Sequence, residues 1–218
     1  MHKSIINLQE IKKEIHLKNN NKNQKINIIA VSKTFGIENI TPLIDSGHMH
    51  FGENKVQEAI NKWTEIKKKS QGVKLHMIGK LQTNKVKNVI PLFDYIHSLD
   101  NSKLANKISE EQKKQKKRLK IFIQINIGNE PQKSGIEIKN LKNFYSDCTL
   151  NLDLDIIGLM CIPPQSGKVK TYFEKMYELN NSLGLQELSM GMSSDFIEAA
   201  ECGSSYLRIG SKIFGNRN

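Results

Sequence analysis

The chain has 218 residues, 38% hydrophobic and 25% charged, and 33 Lys and Arg against 22 Asp and Glu give a formal net charge of +11. These ordinary fractions exclude a wholly disordered or fibrous protein, and no apolar run approaches the roughly 18–20 residues of a membrane span. Cys148, Cys161 and Cys202 are too widely spaced for a disulfide framework or a zinc site, and the N-terminus has no signal-peptide pattern, so we expect a cytoplasmic protein.

Helical and strand patterns alternate from the N-terminus onward. Ile5, Leu8, Ile11 and Ile15 are spaced three or four apart, which predicts a first helix. The run at 27–31 is continuous and β-branched, as in a strand covered on both faces. Further strands are predicted at 48–51, 73–78, 95–99, 121–127, 154–160, 186–190 and 206–209. Helical patterns fall at 40–44, 56–66, 86–90, 104–108, 138–144, 169–183 and 196–200.

Eight strands that alternate with helices predict a parallel sheet, because parallel neighbours need crossover connections. The number eight favours an α/β fold closed into a (β/α)8 barrel, one domain over residues 1–218, and an open doubly wound sheet is the alternative. A helix precedes the first strand, and little sequence follows the eighth. We therefore expect the N-terminal helix to cover the barrel beside the eighth strand.

Polar and glycine-rich residues follow the predicted strands, at the end where barrels carry their active sites. Lys33 follows the first strand, so its amine is expected at the barrel mouth, where burial and Lys55 would lower its pKa and favour bonding to a carbonyl. Ser193, Ser194 and Asp195 precede a helical pattern, and a serine there is expected to cap a helix whose N-terminus suits an anion. Gly210 and Ser211 follow the eighth strand and offer close backbone approach and a hydroxyl.

Arg208 lies inside the eighth strand and shares a face with Gly210, two residues later. A charged side chain in that place needs a partner or a ligand. Together with the lysine and the anion cradle, it indicates a phosphorylated carbonyl ligand. Taken singly, these features have ordinary explanations: a solvent-exposed lysine, a capped helix and a turn glycine. No group of Asp, Glu, His or Cys has the spacing of a metal site.

The net charge of +11 has two interpretations. Strongly basic chains often bind polyanions, so a nucleic-acid-binding module is one hypothesis. The abundance of Lys, Asn and Ile along the whole chain indicates a compositional bias instead. The densest run of cations, 113–118, contains no aromatic residue and follows a helical pattern, so we interpret it as a solvated helix end.

The motifs at the strand ends resemble those of the pyridoxal 5'-phosphate (PLP) homeostasis proteins, single-domain relatives of the alanine racemase barrel. The matching segments are AVSKT (30–34), FGENKVQ (51–57), HMIGKLQTNK (76–85), IHS (96–98), KSG (133–135), GLM (158–160), LSMGMS (188–193), LRIG (207–210) and FG (214–215). Each segment is weak by itself, but this many in order are highly specific. The resemblance therefore extends over nearly the whole chain.

The resemblance implies roles for nine residues. Lys33 would bind PLP as an internal aldimine, and Arg208 would face the pyridine nitrogen. Ser193, Gly210 and Ser211 would contact the phosphate, and the rest of the lining would come from Asn54, Met160, Ser189 and Met190. Two positions depart from the family pattern. Gly36 stands where Pro is common, which affects loop stiffness, and Ser211 stands where Thr is usual, which keeps the hydroxyl.

The same features bear on catalysis. An arginine at the pyridine nitrogen supplies no proton, so the ring is a weak electron sink. The racemases carry a second domain that helps supply a catalytic tyrosine, whereas this sequence is too short for one and has no Tyr at a predicted strand mouth. We therefore expect a monomeric PLP carrier without strong catalytic activity, which hands PLP to apo-enzymes and uses neither a membrane nor a specific nucleic acid. A PLP-dependent amino-acid racemase is the second hypothesis.

Overall fold

Eight parallel strands close into a barrel in the part of the chain that the computed structural model describes, residues 1–19, 24–164 and 169–215. The strands follow one another around the barrel in chain order, and the last pairs with the first. They are β1 (Asn27–Val31), β2 (His50–Glu53), β3 (Lys74–Met77), β4 (Tyr95–Leu99), β5 (Lys120–Ile125), β6 (Asp155–Cys161), β7 (Glu187–Ser189) and β8 (Tyr206–Ile209). The predicted (β/α)8 barrel is confirmed.

Helices connect successive strands, with one more at each end of the order. They are α1 (Lys3–Lys18), α2 (Ile37–Asp45), α3 (Val56–Lys69), α4 (Val86–Leu92), α5 (Ser102–Gln115), α6 (Leu141–Ser146), α7 (Val169–Ser182), α8 (Phe196–Glu201) and α9 (Ser211–Phe214). The predicted bounds of β1, β4 and β8 are confirmed. The prediction for β2 was two residues early at both ends, because the paired stretch includes Gly52 and Glu53.

Side chains alternate between two cores. Those that point outward from the strands pack with the apolar faces of the helices in one large cluster, which contains the fully buried Trp63 of α3. Those that point inward form a smaller cluster within the barrel: Ile29, Val31, Tyr95, Phe122, Met160 and Tyr206. Residues two apart on a strand share a face. The inner cluster therefore shows which residues nearer the carboxyl end of each strand also point inward.

Helix α1 lies beside the end of the chain, as predicted. Asn7 Nδ2 donates a 2.9 Å hydrogen bond to the carbonyl of Ile213 in α9, and Lys212 pairs with Glu14 at 3.2 Å. Leu8, Ile11 and Ile15 supply its buried face. In the described ranges, no helix is both long and apolar enough to cross a bilayer.

The densest cationic run is a helix end, as interpreted from the sequence. Helix α5 ends at Gln115, and Lys116 takes a left-handed conformation with φ 52°. Lys117 Nζ donates to the carbonyls of Pro91 and Phe93 at 3.0 and 2.9 Å. Part of this charge therefore serves the fold, because the ammonium satisfies carbonyls at the end of α4.

Candidate functional site

A cavity of about 670 Å³ opens where the strands end, and we call it the carboxyl-end cavity. Its lining comes from segments that follow β1, β2, β3, β6, β7 and β8. Six of the nine residues that the sequence assigns to a ligand site line it: Lys33, Asn54, Ser193, Arg208, Gly210 and Ser211. Closure of the barrel therefore brings the beginning and the end of the sequence together.

Lys33 points into the mouth because of its place on the first strand. Ile29 and Val31 belong to the cluster inside the barrel. Lys33 is two residues further along, so its side chain points to the same, inner side. Its side chain is half-buried and lines the carboxyl-end cavity. A primary amine thus stands next to the apolar interior, as expected from the sequence.

The turn that carries Lys33 is fixed on both sides by helix α3. Before it, the Ser32 carbonyl accepts from Lys62 Nζ at 2.9 Å. After it, the Thr34 N–H donates to Glu58 Oε1 at 2.6 Å. Burial alone raises the pKa of the Glu58 carboxyl, but the hydrogen bonds from Thr34 and Lys62 lower it overall, so the group is held as a carboxylate. The position of Lys33 is therefore set from outside the barrel.

Glu53 is a structural residue behind this turn. The strand predicted at 48–51 leaves Glu53 outside, but it lies inside β2, fully buried, and its carboxylate contacts α3. Its Oε1 atom accepts from Ser32 Oγ, Lys62 Nζ and Trp63 Nε1 at 2.8 to 2.9 Å. The charge is thus compensated between sheet and helix, which explains how a strand tolerates it.

Arg208 forms part of the cavity floor and is only 5% exposed. It donates to the Ser189 hydroxyl at 2.7 Å and to the Cys161 carbonyl at 2.8 Å. Burial lowers the pKa of its guanidinium, yet an arginine stays charged at neutral pH. Both hydrogen-bond partners among the described residues are neutral, so the positive charge is available to an acceptor atom of a ligand.

Ser193 does not cap a helix, contrary to the sequence expectation. Helix α8 begins at Phe196, and its cap residue Asp195 accepts from the Met192 N–H at 2.6 Å. The Ser193 hydroxyl oxygen instead accepts from the N–H groups of Gly210 and Lys212 at 3.3 and 3.4 Å. Because the Ser193 oxygen accepts both N–H groups, its own hydroxyl proton is left to donate at the turn into α9, where a phosphate or another small anion could accept it.

Asn54 carries an unsatisfied polar atom beside the cavity. It lines the cavity, and its Oδ1 atom is buried without a hydrogen-bond partner in the described part of the chain. A buried carbonyl oxygen without a donor costs about 1–3 kcal/mol, so such atoms need a partner. A ligand with a donor group would satisfy it.

The other three predicted residues lie away from the cavity surface. Met160 is in the inner cluster with Val31, one layer below the opening. Ser189 is fully buried and reaches the site through its bond to Arg208. Met190 does not line the cavity as expected, because it is out of phase with Ser189 and packs in the outer core with the helices.

Several lining residues were not predicted from the sequence. Apolar walls come from Ile78, Ile162 and Met192, and from Phe35, whose ring stacks on Phe214 at 4.9 Å between centroids. Ile78 could have been predicted from the strand pattern, because it lies two residues after His76 and its side chain therefore points to the same, inner side. Contact between Phe35 and Phe214 depends on closure of the barrel and has no local signal.

The described residues contain no group of three or more His, Cys, Asp or Glu placed to hold a metal ion. Cys148, Cys161 and Cys202 are free thiols. Burial raises the pKa of Cys148 and of Cys161 to about 12, so neither is a reactive thiolate at neutral pH. The chemistry of the cavity therefore rests on an amine, a guanidinium, hydroxyls and backbone donors.

Known proteins share this architecture. The family model for the alanine racemase N-terminal domain matches residues 6–218. The chain is 36% identical over 224 residues to the pyridoxal phosphate homeostasis protein of Haemophilus influenzae, covering 98% of this chain and 94% of that protein. The structure of PipY from Synechococcus elongatus with PLP bound matches with a TM-score of 0.86 and 29% identity, covering 97% of this chain and 100% of PipY.

A more distant likeness shows the fold alone. An alanine racemase from Clostridium difficile matches with a TM-score of 0.77 at 14% identity. The match covers 99% of this chain but 57% of the racemase.

Proposed function

The chain belongs to the pyridoxal phosphate homeostasis proteins, within the alanine racemase N-terminal domain family, and on that premise we propose that it binds PLP in the carboxyl-end cavity and acts as an intracellular carrier of this cofactor. The observation that carries the proposal is the convergence of Lys33, Arg208 and the hydroxyls of Ser193 and Ser211 on one cavity. These groups match the aldehyde, the ring nitrogen and the phosphate of PLP in chemical type.

Each residue has a proposed part in holding the cofactor. The aldehyde of bound PLP supplies an electrophile, and Lys33 is the amine that we propose bonds to it. Ser193, Gly210 and Ser211 would hold the phosphate with hydroxyls and N–H groups, as the geometry of the turn into α9 allows. Arg208 would donate to the pyridine nitrogen, and Asn54 Oδ1 would accept from a donor on the cofactor. Ser189 and Met160 would support the floor from below.

The composition of the cavity favours a carrier over a racemase. Racemisation needs one base on each side of the reacting carbon, and the described lining contains no tyrosine, histidine or carboxylate beside Lys33. Arg208 keeps its own proton, so it leaves the ring nitrogen unprotonated and its electron demand low. Both features suit binding and protection of a reactive aldehyde better than turnover of amino acids.

Recipients of the cofactor are proposed to be PLP-dependent apo-enzymes in the cytoplasm, a compartment that suits three free cysteines. We propose a monomer, because the large apolar side chains that are exposed are scattered over many elements. Light scattering on the protein as it elutes from a size-exclusion column would measure its mass, which should be that of a single chain.

The test uses the visible absorbance of lysine-bound PLP in the purified, reconstituted protein. Lys33→Ala should abolish that band, whereas Lys80→Ala should retain it, since Lys80 is exposed after β3 and outside the lining. A wild-type protein that cannot be loaded with PLP would contradict the proposal. Racemisation of any amino acid in a panel at high protein concentration would favour the racemase instead.

A further inference from the structure

Five hydrogen-bonded side chains form a line through the barrel interior, beneath the carboxyl-end cavity. Arg208 donates to the Ser189 oxygen at 2.7 Å, and that hydroxyl lies 2.8 Å from Nδ1 of His97. Nε2 of His97 lies 2.9 Å from Nδ1 of His76, and Nε2 of His76 lies 2.9 Å from Nδ1 of His50. These residues come from β8, β7, β4, β3 and β2, so the line crosses the inside of the barrel.

The line connects two cavities at opposite ends of the barrel. Its middle members, His76 and His97, are 0% exposed, and each ring stacks on an aromatic neighbour with centroids 4.1 or 4.3 Å apart. Arg208 ends the line in the carboxyl-end cavity. At the other end, the partly buried His50 lines a cavity of about 480 Å³, which we call the amino-end cavity.

The chemistry of arginine sets the direction of every bond in the line. A guanidinium has donors and no acceptor, so the Ser189 oxygen accepts from Arg208. The Ser189 hydroxyl proton has one remaining partner in the described part of the chain, Nδ1 of His97, which therefore accepts it. A neutral imidazole that accepts on Nδ1 donates from Nε2. His97 thus donates to His76, and His76 donates to His50 in the same way.

We propose that this line makes His97 a positioning residue for Arg208, with His76 and His50 holding His97 in turn. Because His97 accepts the Ser189 proton, the lone pairs of the Ser189 oxygen are turned toward the guanidinium and fix it in the cavity floor. All three histidines are then neutral, with the proton on Nε2. The inference rests on the proposed function in one respect: that the atom to which Arg208 donates is the pyridine nitrogen of PLP.

The line also couples His50 to the cofactor site. A second proton on His50 must go to Nδ1, which already accepts from His76, so the line would have to reverse as far as Ser189. The Ser189 oxygen would then face two donors, and its hold on Arg208 would weaken. The titratable groups around His50 are Lys25, Lys74, Asp94, His48, His76, His97, Tyr95 and Tyr206, and Lys12 and His16 line the same amino-end cavity. Burial and the two lysines lower the pKa of His50, which keeps the line in its neutral form.

Nitrogen NMR of the histidine rings tests the direction of the line in cofactor-free protein at neutral pH. His50, His76 and His97 should each show a protonated Nε2 and an unprotonated Nδ1. Ser189→Ala should release His97 into a mixture of tautomers. Ser98→Ala is the matched control, because Ser98 is buried beside His97 and its hydroxyl has no partner in the described ranges. A proton on Nδ1 of any of the three, or equal effects of both variants, would overturn the proposal.

Binding measurements separate positioning from general damage to the site. Ser189→Ala should weaken PLP binding roughly three- to tenfold, since Arg208 loses one of two fixed partners. An analogue with C–H in place of the ring nitrogen should bind the variant and the wild type equally. Equal weakening for both ligands would contradict positioning through Arg208. Failure to bind PLP at all would contradict the proposed function, and the NMR signals would still decide the direction of the line.

Discussion

The backbone N–H of Thr34 donates a 2.6 Å hydrogen bond to the carboxylate of Glu58, which lies in helix α3 outside the barrel. Thr34 has φ 70°, in the left-handed region that a β-branched residue rarely adopts. Such a conformation costs about 1–3 kcal/mol and persists where the surroundings impose it. The contact therefore links strain next to Lys33 to a charged group on α3.

Glu58→Ala should lower the free energy of unfolding by about 1–2 kcal/mol, because the charge-assisted hydrogen bond to strained backbone and the ion pair with Lys62 are both lost. Glu65→Ala on the same helix is the matched control. Glu65 is exposed and pairs with exposed Lys68, so its loss should cost much less. Urea unfolding of both variants gives the comparison, and equal losses would rule out a special role for the Thr34 contact.

Glu53→Ala should be far more damaging than Glu58→Ala. Three donors converge on one oxygen of this fully buried carboxylate, and removal leaves the Lys62 ammonium, 9% exposed, with a weaker set of partners. Breaking a buried pair by deleting one member costs about 3–5 kcal/mol. Glu53→Gln keeps an acceptor oxygen and should lose less. A stability loss for Glu53→Ala of under about 1 kcal/mol would contradict this account of the network.

Gly36→Pro should stabilise the protein by about 0.4–1 kcal/mol, because proline restricts the unfolded chain. Gly36 precedes α2 with φ −74°, which proline adopts, and its N–H makes no hydrogen bond within the described ranges. The exposed Glu38 carboxylate occupies the space of a new Cβ and must swing aside. Gly47→Pro is the opposite control, since φ is 87° there and its N–H bonds to Ile44. Thermal unfolding should show a higher Tm for the first variant and a lower one for the second.

The fold was predictable because its signals are local. A continuous β-branched run identified β1, and the alternation of side chains along β1 was enough to predict that Lys33 points into the barrel mouth. The extent of β2 was missed, since Glu53 is an unfavourable strand residue until Lys62 and Trp63 approach it from α3.

The histidine line was missed for a similar reason. His50, His76 and His97 each look like isolated polar residues in their strands. They meet only through the register of β2, β3 and β4, and through the place of Ser189 across the barrel. The pattern within a single strand or helix therefore does not predict this arrangement.

Acidification should destabilise the protein well above the range where carboxylates titrate. Burial lowers the pKa of His48 to about 4 and holds the pKa of His76 and of His97 well below the usual value, and it also lowers that of His50. The unfolded chain therefore binds protons below about pH 6.5 that the folded chain does not, so stability falls as pH falls. Above that pH the four histidines are neutral in both the folded and the unfolded chain, so they do not make the free energy of unfolding depend on pH.

The size of the effect makes it measurable by urea unfolding at a series of pH values. A histidine whose folded pKa lies well below its unfolded value contributes up to about 1.4 kcal/mol per pH unit, a large effect beside the stability of a typical domain, about 5–15 kcal/mol. Unfolding should therefore become marked between about pH 6.5 and 5. His48→Gln removes one of the four titrating groups and should make the fall of stability with pH less steep, although it also removes the hydrogen bond from His48 Nε2 to the backbone carbonyl of His50. Stability that stays constant down to about pH 5 would show that the folded protein takes up these protons, against the burial of the histidines.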